Sequence, residues 1–517
     1  MATDGAQESG KPEDQSRQIS LLADSATHGG ETVERIDTHG AIVFLAGDRA
    51  YKLKRAVRFS FMDFSTAEKR RAACEREVVL NRRTAPDIYL GLSAIRETDG
   101  GLSLGAMDED PDDAIDWVVV MKRFDQSGLL DRLADKGKLD QPLLIGLAAE
   151  IARFHDAEDP VDGGGAAAMR TIVDGNLADL KGQIDDTLLR RLRDGCDARF
   201  AVLSPLVDRR AAAGCVRHCH GDLHLGNVCV IDGNPVLFDC IEFNEEFAQI
   251  DTLYDLAFLL MDLDHHGETA AANLVLNRYI EARPDEAAGV ALLPLFLSIR
   301  AQVRAKVSYF GAAAQQDEDK ARELRDAGAA FTDDALRYLQ TEPPRLVAVG
   351  GASGSGKSTL AAALAPHVGS VPGAVHLRSD AIRKRLWGVD DLTRLPAAAY
   401  KPAMHRKTYA EMESLADAVL EAGGAVVADA TFTHEGSRQR IERIAEAAGV
   451  PFTGLWLDAP QEVLEQRVTD RRGDASDATA QIVRRQMTAD WGRIDWHRLK
   501  SDSDTLSLLG KARALLD

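Results

Sequence analysis

Two rhythms of apolar and polar residues run along the chain, and the change from one to the other divides it. Near the start the apolar runs are short: Ala41-Ile-Val-Phe-Leu-Ala46, a Gly47-Asp48 turn, then Arg49 to Lys54, the pattern of a β-hairpin. Residues 66 to 83 carry a charged amphipathic helical pattern, and Asp116 to Phe124, with Trp117-Val-Val-Val-Met121, predicts another strand. From about 140 to 215 the spacing is helical, most clearly over Leu143 to His155. Short strands and loops return over Val216 to Phe243, before helices at Leu253 to Leu263, Leu292 to Phe310 and Asp319 to Leu339. A small strand-rich part with one helix, followed by a larger helical part, predicts a two-lobed α+β fold.

After Thr341-Glu-Pro-Pro344 the rhythm changes. Four continuous apolar strands, Leu346 to Val349, Ala374 to Leu377, Ala425 to Ala428 and Phe452 to Leu457, alternate with helical stretches at 358–366, 380–387, 399–422, 435–448 and 460–470. Strands of this kind belong to a parallel sheet covered on both faces, so an α/β fold is expected here. The two prolines stop the preceding helix and mark a domain junction, giving domains over 31–340 and 341–517. The first 30 residues are polar and read as a disordered tail.

Bulk composition narrows the classes. A chain of 517 residues, 45% hydrophobic and 28% charged, has the make-up of a soluble globular protein of several domains. No apolar run nears the ~20 residues that span a bilayer, and the start lacks the basic and apolar regions of a secretory signal. Six cysteines without paired spacing suit a reduced cytoplasm. Cys215, His218, Cys219, His220 and His224 crowd together, but no second ligand pair follows at zinc spacing. Residues 341–517 hold 23 Lys and Arg against 23 Asp and Glu, so the net charge of -20 comes wholly from residues 1–340, with 39 basic (62 − 23) and 59 acidic (82 − 23). That acidity argues against general nucleic-acid binding. It would suit a cationic substrate, although ordinary surface acidity for solubility explains it more simply.

The chemistry is concentrated in two places. Gly351-Ala-Ser353-Gly354-Ser355-Gly356-Lys357-Ser358-Thr359 follows the apolar strand and matches the pattern G-x-x-x-x-G-K-[ST] in full. Such a turn lets backbone N–H groups wrap a polyphosphate at the positive end of the next helix. Lys357 would reach the terminal phosphates of ATP or GTP and Ser358 would hold Mg²⁺. A flexible linker would not sit between a buried strand and an alanine-leucine helix. Ser379-Asp380-Ala-Ile-Arg383 then places an acid at a strand end and an arginine one turn later, on one face. Over residues 345–500 the segment resembles small P-loop kinases: polynucleotide 5′-kinase, gluconate kinase and zeta toxins. The resemblance implies that Asp380 is the base for an acceptor hydroxyl and that Arg383 steadies the acceptor or the phosphate.

Asp429, at the end of Ala425-Val-Val-Ala, would orient Mg²⁺ through water or contact the acceptor. Arg467, Arg471 and Arg472 read either as a lid over ATP or as a solvated basic helix end. The segment has no long insertion carrying an arginine finger, which argues against an oligomeric motor.

His220-Gly-Asp222-Leu-His-Leu-Gly-Asn227, with Asp239 twelve residues further on, is the second constellation. One carboxylate, Asp222, serves the attacking hydroxyl, while Asn227 and Asp239 hold Mg²⁺. Over residues 30–335 the chain resembles the aminoglycoside phosphotransferase and choline kinase branch of the kinase-like superfamily. That resemblance implies an ATP-positioning lysine, Lys52 or Lys54, paired with Glu77 or Glu75, and the Lys52–Glu77 pair is preferred. It also implies that Asp255 braces the catalytic loop. No G-x-G-x-x-G precedes Lys52; Thr38-His-Gly40 is the candidate covering turn, and Asp239 sits in Phe-Asp-Cys-Ile-Glu242, not Asp-Phe-Gly. The combined expectation is an ATP-dependent phosphotransferase with two sites that moves the γ-phosphoryl group to a hydroxyl of a small molecule. The alternative makes one half a regulatory nucleotide-binding module.

Overall fold

The hairpin read from Ala41 to Lys54 lies within a six-stranded antiparallel sheet: β1 (Val33–Asp37), β2 (Ala41–Ala46), β3 (Arg49–Lys54), β4 (Tyr89–Thr98), β5 (Gly101–Met107) and β6 (Ala114–Lys122), in the order β1-β2-β3-β6-β4-β5. The computed structural model describes residues 13–38, 40–58, 62–109, 111–470, 476–501 and 504–516. Two compact units interleave along the sequence. The first takes the chain up to Lys138 with Arg153–Gly163 and Gly214–Asp255; the second takes Leu139–Ala152, Gly164–Ala213 and everything from Leu256.

Strand periodicity gives the first sheet two different faces. One face, with Ala50, Val119 and Met121, packs on Cys74 and Val78 of the helix Ala67–Asn81. The other, with Ile42, Phe44, Leu53, Val118 and Val120, is covered by Leu22 of a helix at Ser16–Ala23. This corrects the expected disordered tail over residues 13–30; residues 1–12 lie outside the described residues. Ile19, Leu21 and Leu22 supply an apolar stripe that the polar composition hid. Just before it, the buried Gln15 donates to the Lys54 carbonyl at 2.9 Å and to Asp116 at 2.8 Å. β1 and β5 lie at the two edges of the sheet with half-exposed or exposed residues, so they lack the apolar alternation that marks a strand in sequence.

In the second unit, β7 (Leu346–Gly351), β8 (Val375–Arg378), β9 (Val426–Asp429), β10 (Phe452–Asp458) and β11 (His497–Lys500) form a parallel sheet in the order β8-β9-β7-β10-β11. Val347, Val349, Leu360, Val427 and Leu455 make its core. β11 is an edge strand with three exposed residues out of four, which explains why hydrophobicity did not reveal it. The Thr341–Pro344 connector lies inside this unit, since the helices Thr269–Ala282, Leu293–Ala314 and Glu318–Tyr338 belong to it as well.

Contrary to the expectation of no membrane-length apolar stretch, Pro284–Ala314 is long and apolar enough to cross a bilayer. In this structure 89% of its most apolar window is buried inside the protein, as the core helix of a folded domain would be.

Candidate functional sites

In the first unit, β3 and the helix Ala67–Asn81 bring two lysines onto one carboxylate. Lys52 Nζ donates to Glu77 Oε1 at 2.8 Å and to Asp239 Oδ1 at 2.5 Å. Lys54 Nζ donates to the other oxygen of Glu77 and to Glu242. Both lysines therefore share Glu77, and Lys52 is the one that also meets Asp239. Glu75 turns to the exposed side of the helix and pairs with Arg71. Burial pushes Glu77 up, but the two ammonium groups overcome it and hold the carboxyl at about 2. Burial works against a charged Lys52 in the same way, and Asp239 and Glu77 nevertheless raise it well above the ordinary range.

The loop after Val216–His218 sets the other groups. Asp255 accepts from the backbone N–H of His220 at 3.2 Å and of Gly221 at 2.8 Å, and from His155 Nε2 at 3.1 Å. Buried His155, Cys219 and Asp255 stand close enough to hold a metal. Asp255, however, is already engaged in bracing the loop, the role its sequence position suggested. Gly221 has φ +83° and a Cβ there would sit 3.0 Å from the Phe247 carbonyl, so the turn requires glycine.

Asn227 Nδ2 donates to the Asp222 carbonyl at 2.9 Å and to Asp222 Oδ2 at 3.0 Å, which leaves Asn227 Oδ1 as an oxygen donor. His224 Nδ1 accepts from Gly226 N–H at 3.1 Å, so its Nε2 carries the proton that faces Asp222 Oδ2 at 3.4 Å. Asp239 adopts φ +65°, uncommon for a residue with a side chain. Its N–H donates to Tyr89 Oη at 3.1 Å and the next N–H to Asn81 Oδ1 at 2.8 Å, which holds the bend.

In the second unit, a cavity of about 220 Å³ opens at the phosphate loop. Ser353, Gly354, Gly356, Lys357, Ser358 and Thr359 line it together with Asp380, Arg383 and Asp429. Gly351 and Ser355 are buried in the loop without lining the cavity. Gly354 (φ +85°) passes so close to the Leu464 carbonyl that a Cβ would come within 2.7 Å. Lys357 Nζ donates to the Ala352 carbonyl at 3.1 Å, and Ser353 N–H donates to the side chain of Gln486 at 2.8 Å; a phosphate would take over both donors. Burial raises the Asp380 carboxyl, with Arg383 opposing and Asp429 adding to the shift. Asp429 is also pushed up by burial, but His376, Lys357 and the Ser358 hydroxyl bring it below the ordinary range.

Arg383 lies 5.2 Å over the Tyr400 ring and donates to the Ala399 carbonyl at 3.3 Å. His405 and Tyr409, with rings 4.6 Å apart, complete that end of the cavity. None of Tyr400, His405, Tyr409 and Gln486 stands in a recognisable motif, and sequence reasoning missed all four. Arg467 does not line the cavity: it donates to the Ser501 carbonyl at 2.7 Å. Arg471 and Arg472, the other expected lid arginines, lie outside the described residues, as does His39 of the covering turn.

Arg378, another lining residue the sequence did not signal, is held from upstream. The helix Thr269–Ala282 runs along the free edge of β8, where Asn277 accepts from His376 N–H at 2.6 Å and donates to the Ala374 carbonyl at 3.2 Å. One turn on, Glu281 takes Arg378 with both oxygens, at 2.6 and 2.7 Å, and Asp391 accepts from Arg378 at 2.7 Å.

Residues 346–489 match the family model described as an AAA domain. Over nearly its whole length the chain is 32% identical to the uncharacterized protein Rv2004c of Mycobacterium tuberculosis (strain ATCC 25618 / H37Rv), across 481 residues that cover 89% of this chain and 91% of that protein. The chain belongs to the Rv2004c family. An adenylyl-sulfate kinase of Myxococcus xanthus (strain DK1622) is 32% identical over 117 residues, 23% of this chain and 59% of that enzyme. Among solved structures, choline kinase from Cryptosporidium parvum Iowa II aligns with 62% of this chain and 95% of its own, at 10% identity and a TM-score of 0.41. For this member of the Rv2004c family, the part that matches the AAA model is a P-loop, nucleotide-binding domain.

Proposed function

We propose that the chain is a phosphotransferase with two ATP sites, each moving the γ-phosphoryl group to a hydroxyl of a small molecule. One observation carries the reading: each unit gathers a cation for phosphates, oxygen donors for a metal, and a separate carboxylate for the acceptor. In the first unit these are Lys52 held by Glu77, then Asn227 with Asp239, then Asp222. In the second they are Lys357 with the phosphate loop, then Ser358 with Asp429, then Asp380.

The donors are all hard oxygens, which fits Mg²⁺. Bound Mg²⁺ would neutralise the phosphates and the charge that builds during transfer. The chain's own residues do the rest. Asp222 or Asp380 takes the proton of the acceptor hydroxyl as its oxygen bonds to the γ-phosphorus. The bond from phosphorus to the bridging oxygen breaks, and its electron pair leaves with ADP. Burial that raises Asp380 makes it a stronger base for that proton. Arg383 draws the transferring group with its charge, and Lys52 orients the ATP phosphates.

The test is ADP release by the full chain across sugars, aminoglycosides, choline-like alcohols and nucleosides, repeated with Asp222→Asn and Asp380→Asn. Two active sites require that each substitution removes turnover with a different acceptor. Loss from one substitution alone makes the other unit a regulatory nucleotide-binding module. No loss from either ends the reading.

A further inference from the structure

Another cavity of the second unit, about 340 Å³, lies apart from the phosphate loop. Its walls come from Arg199, Val202 and Leu203 of the helix Asp186–Ala212, from Val290, Ala291, Leu293 and Pro294, from the connector 341–344, from the loop 369–373 with Val375, and from residues 422–425. β8 starts here at Val375 and β9 starts just after Ala425. The far ends of the same two short strands, Arg378 and Asp429, line the phosphate-loop cavity. The volume falls within the roughly 300–1,000 Å³ of small-molecule sites.

The walls are mostly Val, Leu, Pro, Ala and Gly, with Arg199 as their one cation and Glu342 as their one carboxylate. Its Nη1 donates to Thr341 Oγ1 at 3.2 Å, while its Nε is buried and meets no acceptor among the described residues. No carboxylate among them pairs with it, and burial alone acts on the guanidinium, lowering its pKa. Arg210, further along the same helix, shows the contrast: it is buried but paired with Glu286 at 2.6 Å. A guanidinium keeps its charge at any physiological pH, and a desolvated charge without a partner is costly. Unlike the enclosed Nε, Nη2 makes no hydrogen bond and is left to donate a charge-assisted hydrogen bond to a carboxylate in the cavity.

We propose that this cavity binds a small carboxylate with a short apolar body, its carboxylate on Arg199 and its body against Val202, Leu203, Val290, Leu293 and Val371. The site is distinct from both ATP sites and stands or falls independently of the phosphotransferase reading. Calorimetric titration of the full chain with hexanoate is the test, with hexanamide as its uncharged counterpart. Saturable one-to-one binding of hexanoate is expected, weakened at least about tenfold in hexanamide and in Arg199→Gln, since the charge-assisted pair is lost. Val202, 71% exposed at the rim, can be changed without touching the core, so Val202→Trp fills the cavity in a folded protein and also weakens binding. The proposal is overturned if hexanoate shows no saturation by about 10 mM. Equal affinity for hexanamide, or undiminished hexanoate binding by folded Arg199→Gln or Val202→Trp, overturns it as well.

Discussion

The two candidate ATP sites meet the same demand in opposite ways. In the second unit the candidate phosphate donors lie in one contiguous loop, whose Lys357 donates to the Ala352 carbonyl. In the first unit the candidate cation is a side chain held among carboxylates: Lys52, Lys54, Glu77, Asp239 and Glu242 come from three distant stretches and pair with one another. A backbone cradle costs the fold little when its lysine is removed. A network of buried charges ties function to stability, because removing one member strands the rest.

That contrast can be broken or sharpened by substitution. The largest expected effect is on rate: Asp222→Asn and Asp380→Asn should each lower turnover at their own site by about 10²–10⁴-fold, read as ADP release with the acceptor of that site. Next comes folding. Glu77→Ala removes the fully buried carboxylate that Lys52 and Lys54 share, leaving each with one carboxylate partner, Asp239 and Glu242, and should cost about 3–5 kcal/mol in urea denaturation. Lys357→Ala should cost no more than about 1 kcal/mol while abolishing nucleotide binding to the loop. Equal stability losses from these two changes would erase the distinction drawn between the sites.

A smaller effect is expected at β8. Asn277→Ala leaves His376 N–H without its acceptor, while the Ala374 carbonyl keeps Asn273 Nδ2 at 3.1 Å, and should cost about 1–3 kcal/mol, again by urea denaturation. The smallest concerns pH. Burial, then the charges of Arg383, His434 and Arg440, hold His405 down to about 4, from an ordinary 6.5. The unfolded chain takes up that proton first, so stability is complete above about pH 6.5 and declines as pH falls toward 4. His405→Gln should flatten this stretch of the urea midpoint against pH.

The same contrast explains what could be read from sequence. Gly351 to Thr359 is contiguous, so its geometry is written in one stretch, and Asp380 and Asp429 follow at strand ends that apolar runs reveal. The spacing of Asp222, Asn227 and Asp239 was equally legible. Strand parity placed Lys52 and Lys54 on one face but could not say that a single glutamate serves both, nor that Glu242 joins them from 188 residues away. Residues that gain meaning only by packing stayed invisible: Tyr400, His405, Gln486 and Arg378 have no local signature. The helix at Ser16–Ala23 was missed because Ile19, Leu21 and Leu22 stand in an otherwise polar first 30 residues.

The cover that Asn273 and Asn277 place on β8 has a consequence for how the protein is made. An uncovered edge strand is a template for pairing with another copy. Residues 269–282 leave the ribosome before residues 375–378, so the cover is already synthesised when the edge it must shield emerges. A chain begun at Thr341 would present that edge bare, and its first hazard would be self-association during synthesis rather than loss of chemistry.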